Sequence, residues 1–442
     1  MTYLETIDCL YGIRLFGQKL GLETMRQLLR LMGNPQDSLR FIHIAGTNGK
    51  GSVAAMTHAA LTEAGYKTGL YTSPHLVSFS ERFQINGKPI PESDVVRLVE
   101  EIRPLIDQVA AHPEFRQPTF FEVVTAIALQ YFREQRVEVV VWETGLGGRL
   151  DATNVVTPLV SVITNIAFDH MQYLGETLRQ IASEKCGIIK PRVPVITAAV
   201  EGEALDVIRA TAAHNDCPLT IVGEHVRVHR IREDDIALQL RLIGTRGKDA
   251  VLTVPLLGEH QAVNCATTVA AIEASGLEVD PEDLRRGLAK TRWPGRFQTV
   301  STHPSVVLDG AHNAAAAERL AATLREHFMR RKLTFILGVL RDKNYDEMCH
   351  IFAPMADRIF CVRVNSERTS VPEQLAMLCR AANPQAEVHA VAKLSDAYAA
   401  ATSAGADVIV VTGSLFLVGE ALGRLGFQVG QPVVSDRELV LQ

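Results

Sequence analysis

A glycine-rich segment directly follows the first apolar run of the chain. The run Phe41–Ala45 is typical of a buried strand, and residues 46–52 after it read GTNGKGS. Glycines let backbone N–H groups turn toward a bound anion, and the N-terminus of a following helix adds partial positive charge. A lysine in this segment would neutralise terminal phosphate oxygens. The predicted phosphate-binding loop consists of Thr47, Asn48, Gly49, Lys50, Gly51 and Ser52.

The loop departs from the strict Walker pattern of nucleotide-binding loops. That pattern places glycine where Ile44 stands and serine or threonine where Gly51 follows the lysine. An ordinary glycine turn between a strand and a helix would account for the glycines alone. It accounts poorly for Lys50, because a lysine at a helix N-terminus faces partial charge of its own sign. We therefore interpret the segment as a nucleotide phosphate site.

An acid and a histidine follow two later apolar runs. Glu143 comes directly after residues 137–142, and the run 160–164 leads to His170. Because open parallel sheets bind ligands at the carboxyl ends of their strands, both side chains are expected at one edge. An acid there would hold Mg²⁺ as a Walker-B residue does. His170 alone would also suit a hydrogen-bonded loop, since imidazole is an unusual magnesium ligand.

Two lysines lie near the end of a helical pattern further along the chain. The segment EKCGIIK spans residues 184–190 and contains Lys185 and Lys190. Cations near a helix C-terminus interact favourably with its partial negative charge. From the residues alone, that interaction is a sufficient reason for both lysines.

Short apolar runs alternate with helical patterns, which predicts parallel sheets built from strand–helix–strand units. One series of predicted strands covers residues 41–45, 137–142 and 160–164, and a second covers 305–308, 333–337, 358–362 and 407–411. The helical patterns include residues 52–64, 314–328 and 371–381. Between the two series, residues 222–253 alternate basic and apolar side chains, as a β-hairpin or antiparallel patch would.

The chain divides near residue 298. Proline and glycine in WPGRF (residues 293–297) interrupt both periodicities, as a linker does. A chain of 442 residues is also too long for one compact core. The predicted fold class is α/β: a P-loop-containing, mostly parallel-sheet N-terminal domain over residues 1–298, followed by a smaller Rossmann-like α/β C-terminal domain over residues 299–442.

Composition and charge narrow the functional classes. Hydrophobic residues make up 47% and charged residues 21%, as in globular proteins. A net charge of −5 excludes the class of strongly basic nucleic-acid-binding proteins. No apolar run reaches the roughly 18 residues of a membrane span. The acidic N-terminus predicts no secretory signal. Seven scattered cysteines without a C-x-x-C pair predict reduced thiols in the cytoplasm and exclude zinc fingers and disulfide scaffolds.

Taken together, these segments resemble the folylpolyglutamate synthase/dihydrofolate synthase family, a branch of the Mur-type ATP-dependent amide ligases. The resemblance runs over nearly the whole chain. It rests on GTNGKGS (46–52), TSPHL (72–76), SERFQING (80–87), TFFE (119–122), ETGLGGRLDATN (143–154), ITNIAFDH (163–170), EKCGIIK (184–190), PGRFQ (294–298), LDGAHN (308–313) and TGS (412–414). A series of motifs in the same order is far more specific than any one of them.

The resemblance implies a metal site and further nucleotide contacts. Ser73, Glu143 and His170 match the family's magnesium ligands. Lys185 matches a lysine that the family carbamylates, which turns a cation into a carboxylate-like metal ligand. The implied cofactors are a pair of Mg²⁺ ions, with ATP as co-substrate. Beyond the phosphate loop, the implied ATP contacts are Asn264, Arg296 and Asp309.

A second set of residues matches the pocket for the pterin of the first substrate. Its members are Thr119, Phe121, Asp151 and Ala152, with Gln18, Lys19 and Leu20 in a loop that closes over it. Asp151 would accept paired N–H donors of the pterin ring, although an aspartate in a glycine-rich loop also commonly caps a turn. His312 and Ser414 match positions for the incoming glutamate and for domain closure. The implied catalytic residues are Lys50, Lys185 and His312.

The implied reaction forms an amide in two steps. A substrate carboxylate attacks the γ-phosphate of ATP to give an acyl phosphate, and the amino group of L-glutamate then displaces phosphate. The implied partners are dihydropteroate or folate, L-glutamate and ATP, with no nucleic-acid or membrane partner, and the chain is expected to be a monomer. We predict a bifunctional enzyme that takes both dihydropteroate and folates. The alternatives are a monofunctional folylpolyglutamate synthase, a Mur-type cell-wall peptide ligase and, in another class, a P-loop regulatory ATPase.

Overall fold

The computed structural model describes residues 1–13, 21–200, 202–244 and 249–424. The largest of its three sheets lies in the N-terminal part and has eight strands. They are β1 (Phe41–Ala45), β2 (Thr68–Tyr71), β3 (Phe83–Ile85), β4 (Lys88–Pro89), β5 (Val139–Glu143), β6 (Val160–Ile163), β7 (Val195–Thr197) and β8 (Leu219–Ile221). The helices of this part are α1 (Tyr3–Gly12), α2 (Glu23–Leu31), α3 (Lys50–Glu63), α4 (Glu92–Ala111), α5 (Phe120–Glu134), α6 (Met171–Leu174), α7 (Leu178–Cys186), α8 (Glu203–His214), α9 (Glu259–Ser275) and α10 (Pro281–Ala289), with 3₁₀ turns at Pro35–Ser38 and Phe79–Arg82.

The strand order of this sheet is β4-β3-β2-β5-β1-β6-β7-β8. Its pairs are parallel except β2–β3 and β3–β4 at one edge. Every residue of β1, β5 and β6 is buried, because helices cover both faces, which explains their continuous apolar runs. Ile44 of β1 stands opposite Glu143 of β5, and Ala45 opposite Ile163 of β6. The ends of these three strands therefore meet beside the segment that follows β1.

A smaller antiparallel sheet covers one face of this domain. Its strands are β9 (Arg227–Glu233), β10 (Leu238–Ile243) and β11 (Asp249–Val254), in the order β11-β10-β9. Leu238, Leu240 and Leu242 point into the core that also contains Ala262 and Cys265 of α9, while the residues between them are exposed. The predicted antiparallel patch is confirmed, with a third strand in addition to the hairpin.

The C-terminal part forms the second of the two large sheets, called the second sheet, with six strands. They are β12 (Gln298–Thr302), β13 (Ser305–Leu308), β14 (Leu333–Leu337), β15 (Arg358–Val362), β16 (Glu387–Val391) and β17 (Val408–Thr412), in the order β12-β13-β17-β14-β15-β16. Of the strands that the structure describes in this sheet, only β12 runs antiparallel to its neighbour. The helices are α11 (Ala314–His327), α12 (Tyr345–Phe352), α13 (Pro372–Ala382), α14 (Leu394–Ser403) and α15 (Leu415–Arg424), with a 3₁₀ turn at Ala353–Met355.

Two α/β parts, the first with the larger and mostly parallel sheet, confirm the predicted fold class. Gln298 is the first residue of β12, and β12 belongs to the second sheet, so we propose the domain boundary at about residue 298. The helix after the phosphate loop begins at Lys50, two residues earlier than its apolar pattern predicted, because Gly49 serves as its N-cap with φ +87°. Among the described residues, no helix combines the length and apolarity that crossing a membrane requires.

Candidate active site

The phosphate loop connects β1 to α3. A Cβ on Gly46, whose φ is +149°, would lie 1.9 Å from Oγ1 of Thr164, so a side chain at this position would clash. Nζ of Lys50 folds back on the loop and donates to the carbonyl oxygens of Gly46 at 3.1 Å and Thr47 at 3.2 Å. The ammonium therefore lies against the loop backbone, within reach of any phosphate that the loop binds.

The end of β6 fixes the shape of this loop. The backbone carbonyl of Asn165 accepts the N–H of Thr47 at 2.8 Å, and its Oδ1 accepts the N–H of Asn48 at 2.7 Å. Oγ1 of Thr164 donates to the carbonyl of Asn48 at 2.7 Å. We assigned no role to Asn165 from the sequence, although its place directly after an apolar run was the available signal.

Glu143 ends β5 beside the loop. Its carboxylate is buried and accepts the backbone N–H of Ser73 at 3.2 Å. Burial raises the pKa of Glu143, and the positive charge of Lys50 and the Ser73 N–H oppose this rise. A buried carboxylate next to a serine suits a hard cation, because Mg²⁺ prefers oxygen ligands and compensates the charge that burial disfavours.

Lys185 approaches the same point from α7. Its side chain is buried, and Nζ donates to the carbonyl oxygen of Gly46 at 2.8 Å. Burial and the positive charge of Lys50 lower the pKa of Lys185 to about 7. A substantial fraction of the side chain is therefore a free amine at neutral pH, which is the form that reacts as a nucleophile.

In the parts of the chain that the structure describes, no three His, Cys, Asp or Glu side chains form a ready metal cluster. A cation at Glu143 would thus draw its further ligands from the Ser73 hydroxyl and water. Mg²⁺ commonly keeps several waters and takes one or two carboxylates from the protein. The residues present are compatible with Mg²⁺ on these terms.

Asp169 connects the two domains at this edge of the sheet. Its Oδ1 lies 2.6 Å from Nζ of Lys343, and its Oδ2 accepts Nδ2 of Asn313 at 3.0 Å. The side-chain amides of Asn313 and Asn48 exchange hydrogen bonds of 3.0 and 3.2 Å. The phosphate loop, the segment after β6 and two loops of the C-terminal domain therefore share one polar network.

His170 belongs to the same network. It adopts a left-handed conformation with φ +51°, and its N–H donates to Oδ1 of Asp169 at 2.8 Å. Nε2 lies 3.2 Å from Nζ of Lys343, an arrangement in which the ring nitrogen accepts. Burial, together with the charge of Lys343, lowers the pKa of His170 to about 4 despite the nearby Asp169. The neutral ring has one electron pair, which accepts from Lys343 here and which a metal ligand would need.

The residues predicted to contact ATP surround a cavity of about 570 Å³ between the two domains. Asn264 of α9 lies against the phosphate loop, since a Cβ on Gly49 would be 2.6 Å from its Oδ1. Burial lowers the pKa of Arg296 and raises that of Asp309, and each group's charge opposes the shift of the other. The Asp309 carboxylate also accepts two backbone N–H groups at 2.8 Å. The structure thus brings all of these predicted residues together.

A second cavity of about 410 Å³ adjoins the first. Its N-terminal wall includes the four predicted pterin residues Thr119, Phe121, Asp151 and Ala152. Its C-terminal wall includes Ser414, Lys343 and Arg368. The predicted closing loop of Gln18, Lys19 and Leu20 lies outside the described residues.

Two of the predicted pterin residues also have structural partners. The Asp151 carboxylate accepts the N–H of Leu146 at 2.7 Å and both the N–H and the hydroxyl of Thr153. Thr119 caps α5 by accepting the N–H of Glu122 at 3.3 Å. Asp151 therefore caps the glycine-rich loop after β5 and also lines the cavity, so the turn-capping alternative accounts for part of its role.

The two cavities meet at three of the predicted residues. Ser73, His170 and His312 line both of them. Nδ1 of His312 lies 2.8 Å from the carbonyl oxygen of Gly310, and Nε2 lies 3.7 Å from Oδ2 of Asp169. Burial and the charge of Lys343 lower the pKa of His312 to about 4, so its ring is neutral at physiological pH.

Asp169 and Lys343 are two further site residues to which we assigned no function from the sequence. Asp169 stands directly before His170 in a segment already recognised as a strand end. Lys343 follows β14, so the signal for it was a cation at the carboxyl end of a strand in the second sheet. Their pairing required knowledge of how the two domains face each other.

Known proteins share the domains and the fold of this chain. Residues 44–272 match the Mur ligase middle domain, and residues 295–415 match the glutamate ligase domain of Mur ligases. These two matches identify the chain as a Mur-type ligase. Its phosphate loop lies in the domain with the mostly parallel sheet, and the second α/β domain completes the cavity.

Individual relatives identify one family within the Mur-type ligases. A Bacillus subtilis dihydrofolate synthase/folylpolyglutamate synthase is 36% identical over 96% of this chain and 99% of its own. The Mycobacterium tuberculosis folylpolyglutamate synthase complexed with ADP and AMPPCP superposes with a TM-score of 0.89 at 35% identity, covering 95% of this chain and 98% of that one. The Escherichia coli protein FolC in complex with DHPP and ADP gives a TM-score of 0.83 at 30% identity, covering 95% and 97%. The chain belongs to the dihydrofolate synthase/folylpolyglutamate synthase family and is an ATP-dependent ligase.

Proposed function

We propose that this protein joins L-glutamate to dihydropteroate and to folates at the expense of ATP, through an acyl phosphate. The observation that carries the proposal is the junction of the two cavities at Ser73, His170 and His312. A nucleotide in the first cavity, with its phosphates at the loop, would present its γ-phosphate to this junction. A pterin in the second cavity would extend its carboxylate to the same point.

In the first step, a carboxylate oxygen of the pterin substrate attacks the γ-phosphorus. The new O–P bond forms the acyl phosphate as the bond from phosphorus to ADP breaks. Negative charge accumulates on the phosphoryl oxygens, and Lys50 is placed on the loop to stabilise it. Arg296 and Asn264 would hold the nucleotide from either side of the cavity.

We propose Ser73, Glu143, His170 and a carbamylated Lys185 as ligands of Mg²⁺. When bound, Mg²⁺ neutralises phosphate charge and aligns the γ-phosphate. The carbamate would form when the free amine of Lys185 attacks CO₂, which makes an N–C bond and releases the amine proton. The lowered pKa of Lys185 supports this chemistry because it leaves the nucleophilic amine available. A charged ammonium beside metal ions would instead be repelled.

In the second step, the amino group of glutamate attacks the acyl carbon, and phosphate leaves. The amine loses a proton in this step. His312 lies at the junction with a neutral ring that could accept it. Lys343, Arg368 and the buried Ser414 form a polar wall that suits the carboxylates of glutamate.

The residues that line the second cavity favour this ligase over the alternative from another functional class, a regulatory ATPase. A regulatory ATPase has no use for an aromatic and acidic cavity that opens onto its γ-phosphate. Dihydropteroate as a substrate is supported by relatives named for dihydrofolate synthase activity and by the Escherichia coli protein bound to DHPP. Folates are supported by relatives named folylpolyglutamate synthase.

An assay of ADP release with product masses tests the proposal. The enzyme is given ATP and Mg²⁺ with L-glutamate alone, then with dihydropteroate or with tetrahydrofolate. Release that requires glutamate with either pterin, and products heavier by one glutamyl residue, are expected. Turnover with tetrahydrofolate only would leave a monofunctional synthase. ADP release that needs neither pterin nor glutamate would contradict the ligase function.

We further propose that the enzyme works as a monomer in the cytoplasm. Residues of a single chain line both cavities, which supports a complete site in each monomer. All seven cysteines lie within the described residues and are free thiols, which supports a reducing compartment.

A further inference from the structure

A buried ion pair joins the two domains behind the nucleotide cavity. Nε2 of His327, the last residue of α11, lies 2.7 Å from Oε1 of Glu233, the last residue of β9. Their side chains are only 8% and 3% exposed. A buried carboxylate is costly unless it is paired and hydrogen-bonded, so removing either partner leaves the other uncompensated.

Glu233 also holds the start of α9. Its Oε1 accepts the backbone N–H of Gly258, the N-cap of that helix, at 2.9 Å. The first turns of α9 place His260, Gln261 and Asn264 on the wall of the nucleotide cavity. One carboxylate oxygen therefore contacts both a helix start in the N-terminal domain and a helix end in the C-terminal domain.

Helix α11 forms the opposite wall of the cavity. Arg319 and Thr323 line it, about two turns and one turn before His327 respectively. The His327 ring also packs against Phe297, with 5.2 Å between ring centroids. The N–H of Phe297 in turn donates to the carboxylate of Asp309 at 2.8 Å. The ion pair is thus connected to both walls of the cavity and to one of its predicted ATP contacts.

We propose that Glu233 and His327 are positioning residues that hold the two walls of the nucleotide cavity together, so that nucleotide affinity depends on this interdomain pair. The inference rests on the proposed function in taking this cavity as the ATP site. A pair that only stabilised the fold would leave nucleotide affinity unchanged in any variant that stays folded.

Charged groups around the pair predict how it responds to pH. Asp235 lies 3.9 Å from Nδ1 of His327, while Arg230 lies 3.5 Å from Glu233 and 2.7 Å from Glu326. The hydrogen bond to Glu233 raises the pKa of His327 against the effect of burial, and the charges of Glu233, Glu326 and Asp235 add to the rise. The pair is therefore complete between the lowered pKa of Glu233 and about pH 6.5, the ordinary histidine pKa, and is lost as pH rises through the raised pKa of His327.

The test measures ADP dissociation constants by calorimetry for the wild type, Glu233→Gln, His327→Gln and the double variant. Each single variant is expected to bind ADP about 10-fold more weakly, as the loss of one charge-assisted hydrogen bond implies. The double variant should bind no more weakly than either single variant, because both remove the same contact. His350→Gln, at an exposed histidine of the same domain, should match the wild type.

Melting temperatures identify variants that fail to fold. Glu233→Gln keeps an acceptor for Gly258, so it carries the test if His327→Gln is unstable. Raising the pH from 6 to 9 should weaken ADP binding more in the wild type than in Glu233→Gln. Unchanged affinity for ADP in folded Glu233→Gln, or additive losses of affinity in the double variant, would contradict the proposed role of the pair. Either result would leave the proposed nucleotide site standing. A wild type that does not bind ADP would overturn the nucleotide site and this inference together.

Discussion

Nζ of Lys343 lies 2.6 Å from Oδ1 of Asp169, and this ion pair joins the two domains where the two cavities meet. Burial would raise the pKa of Asp169, but the positive charge of Lys343 and its hydrogen bond outweigh burial and hold that pKa below its usual range. The carboxylate is therefore ionised at neutral pH. In that form it keeps Lys343 and Asn313 in place at the polar wall of the second cavity.

Lys343→Ala should impair the second step of ligation. The change leaves the buried Asp169 without its main cation and removes a positive charge from the proposed glutamate wall. We expect kcat/KM for glutamate to fall at least about 10-fold, with a smaller effect on KM for ATP. Steady-state assays with each substrate varied in turn measure this. Lys332→Ala, at an exposed lysine of the same domain, is the matched control; equal kinetics for the two variants would refute the assignment.

Lys50→Ala should abolish ligation while leaving the fold intact. The transferred phosphoryl group loses the cation that the loop supplies, and such losses typically cost about 100-fold or more in kcat. Initial rates of ADP release measure the effect. The exposed Lys88→Ala serves as the control. Turnover of Lys50→Ala within a few-fold of the wild type would remove the phosphate-loop assignment.

Glu143→Gln should shift the magnesium dependence of the reaction. The amide is a weaker ligand for a hard cation, so a higher Mg²⁺ concentration is expected at half-maximal rate, together with a lower maximal rate. Because burial raises the pKa of Glu143, the neutral amide should not lower the melting temperature. An Mg²⁺ titration that coincides with that of the exposed control Glu92→Gln would place the metal elsewhere.

Lys185→Ala should be nearly inactive and partly restored by acetate. A short carboxylate can occupy the space of the proposed carbamate and supply the same oxygen ligands. Rates measured with and without acetate test this, with Lys190→Ala as the neighbouring control. Native mass spectrometry of the wild type should show one added CO₂ that is lost on acidification. An unmodified amine in fully active enzyme would contradict the carbamate.

Asp151→Ala should affect both stability and the first substrate. The change removes the acceptor of the Leu146 and Thr153 donors, so the melting temperature is expected to fall by several degrees. If the carboxylate also binds the pterin, KM for dihydropteroate should rise far more than KM for ATP. Equal changes in KM for all three substrates, with the same loss of stability, would assign Asp151 to loop capping alone.

Candidate roles for residues that follow one another along the chain could be predicted from the sequence. The phosphate loop depends on backbone conformations that Gly46 and Gly49 provide locally, and its lysine stands beside them. Glu143 and His170 could be placed at one edge because each follows a short apolar run that predicts a parallel strand. The carboxyl ends of parallel strands lie on the same side of a sheet. The fold class followed for the same reason, since alternating strand and helix patterns admit few parallel arrangements.

Tertiary structure decided the contacts between distant segments. Asp169 and Lys343 are separated by 174 residues, and Glu233 and His327 by 94. Lys185 changed from a helix-end cation to a buried amine only because α7 packs its last turn against Gly46. Sequence determined the local chemistry of each segment, because backbone freedom and side-chain type are local properties. Which charges meet, and how strongly burial shifts them, depends on how the two sheets face each other, and no local pattern encodes that.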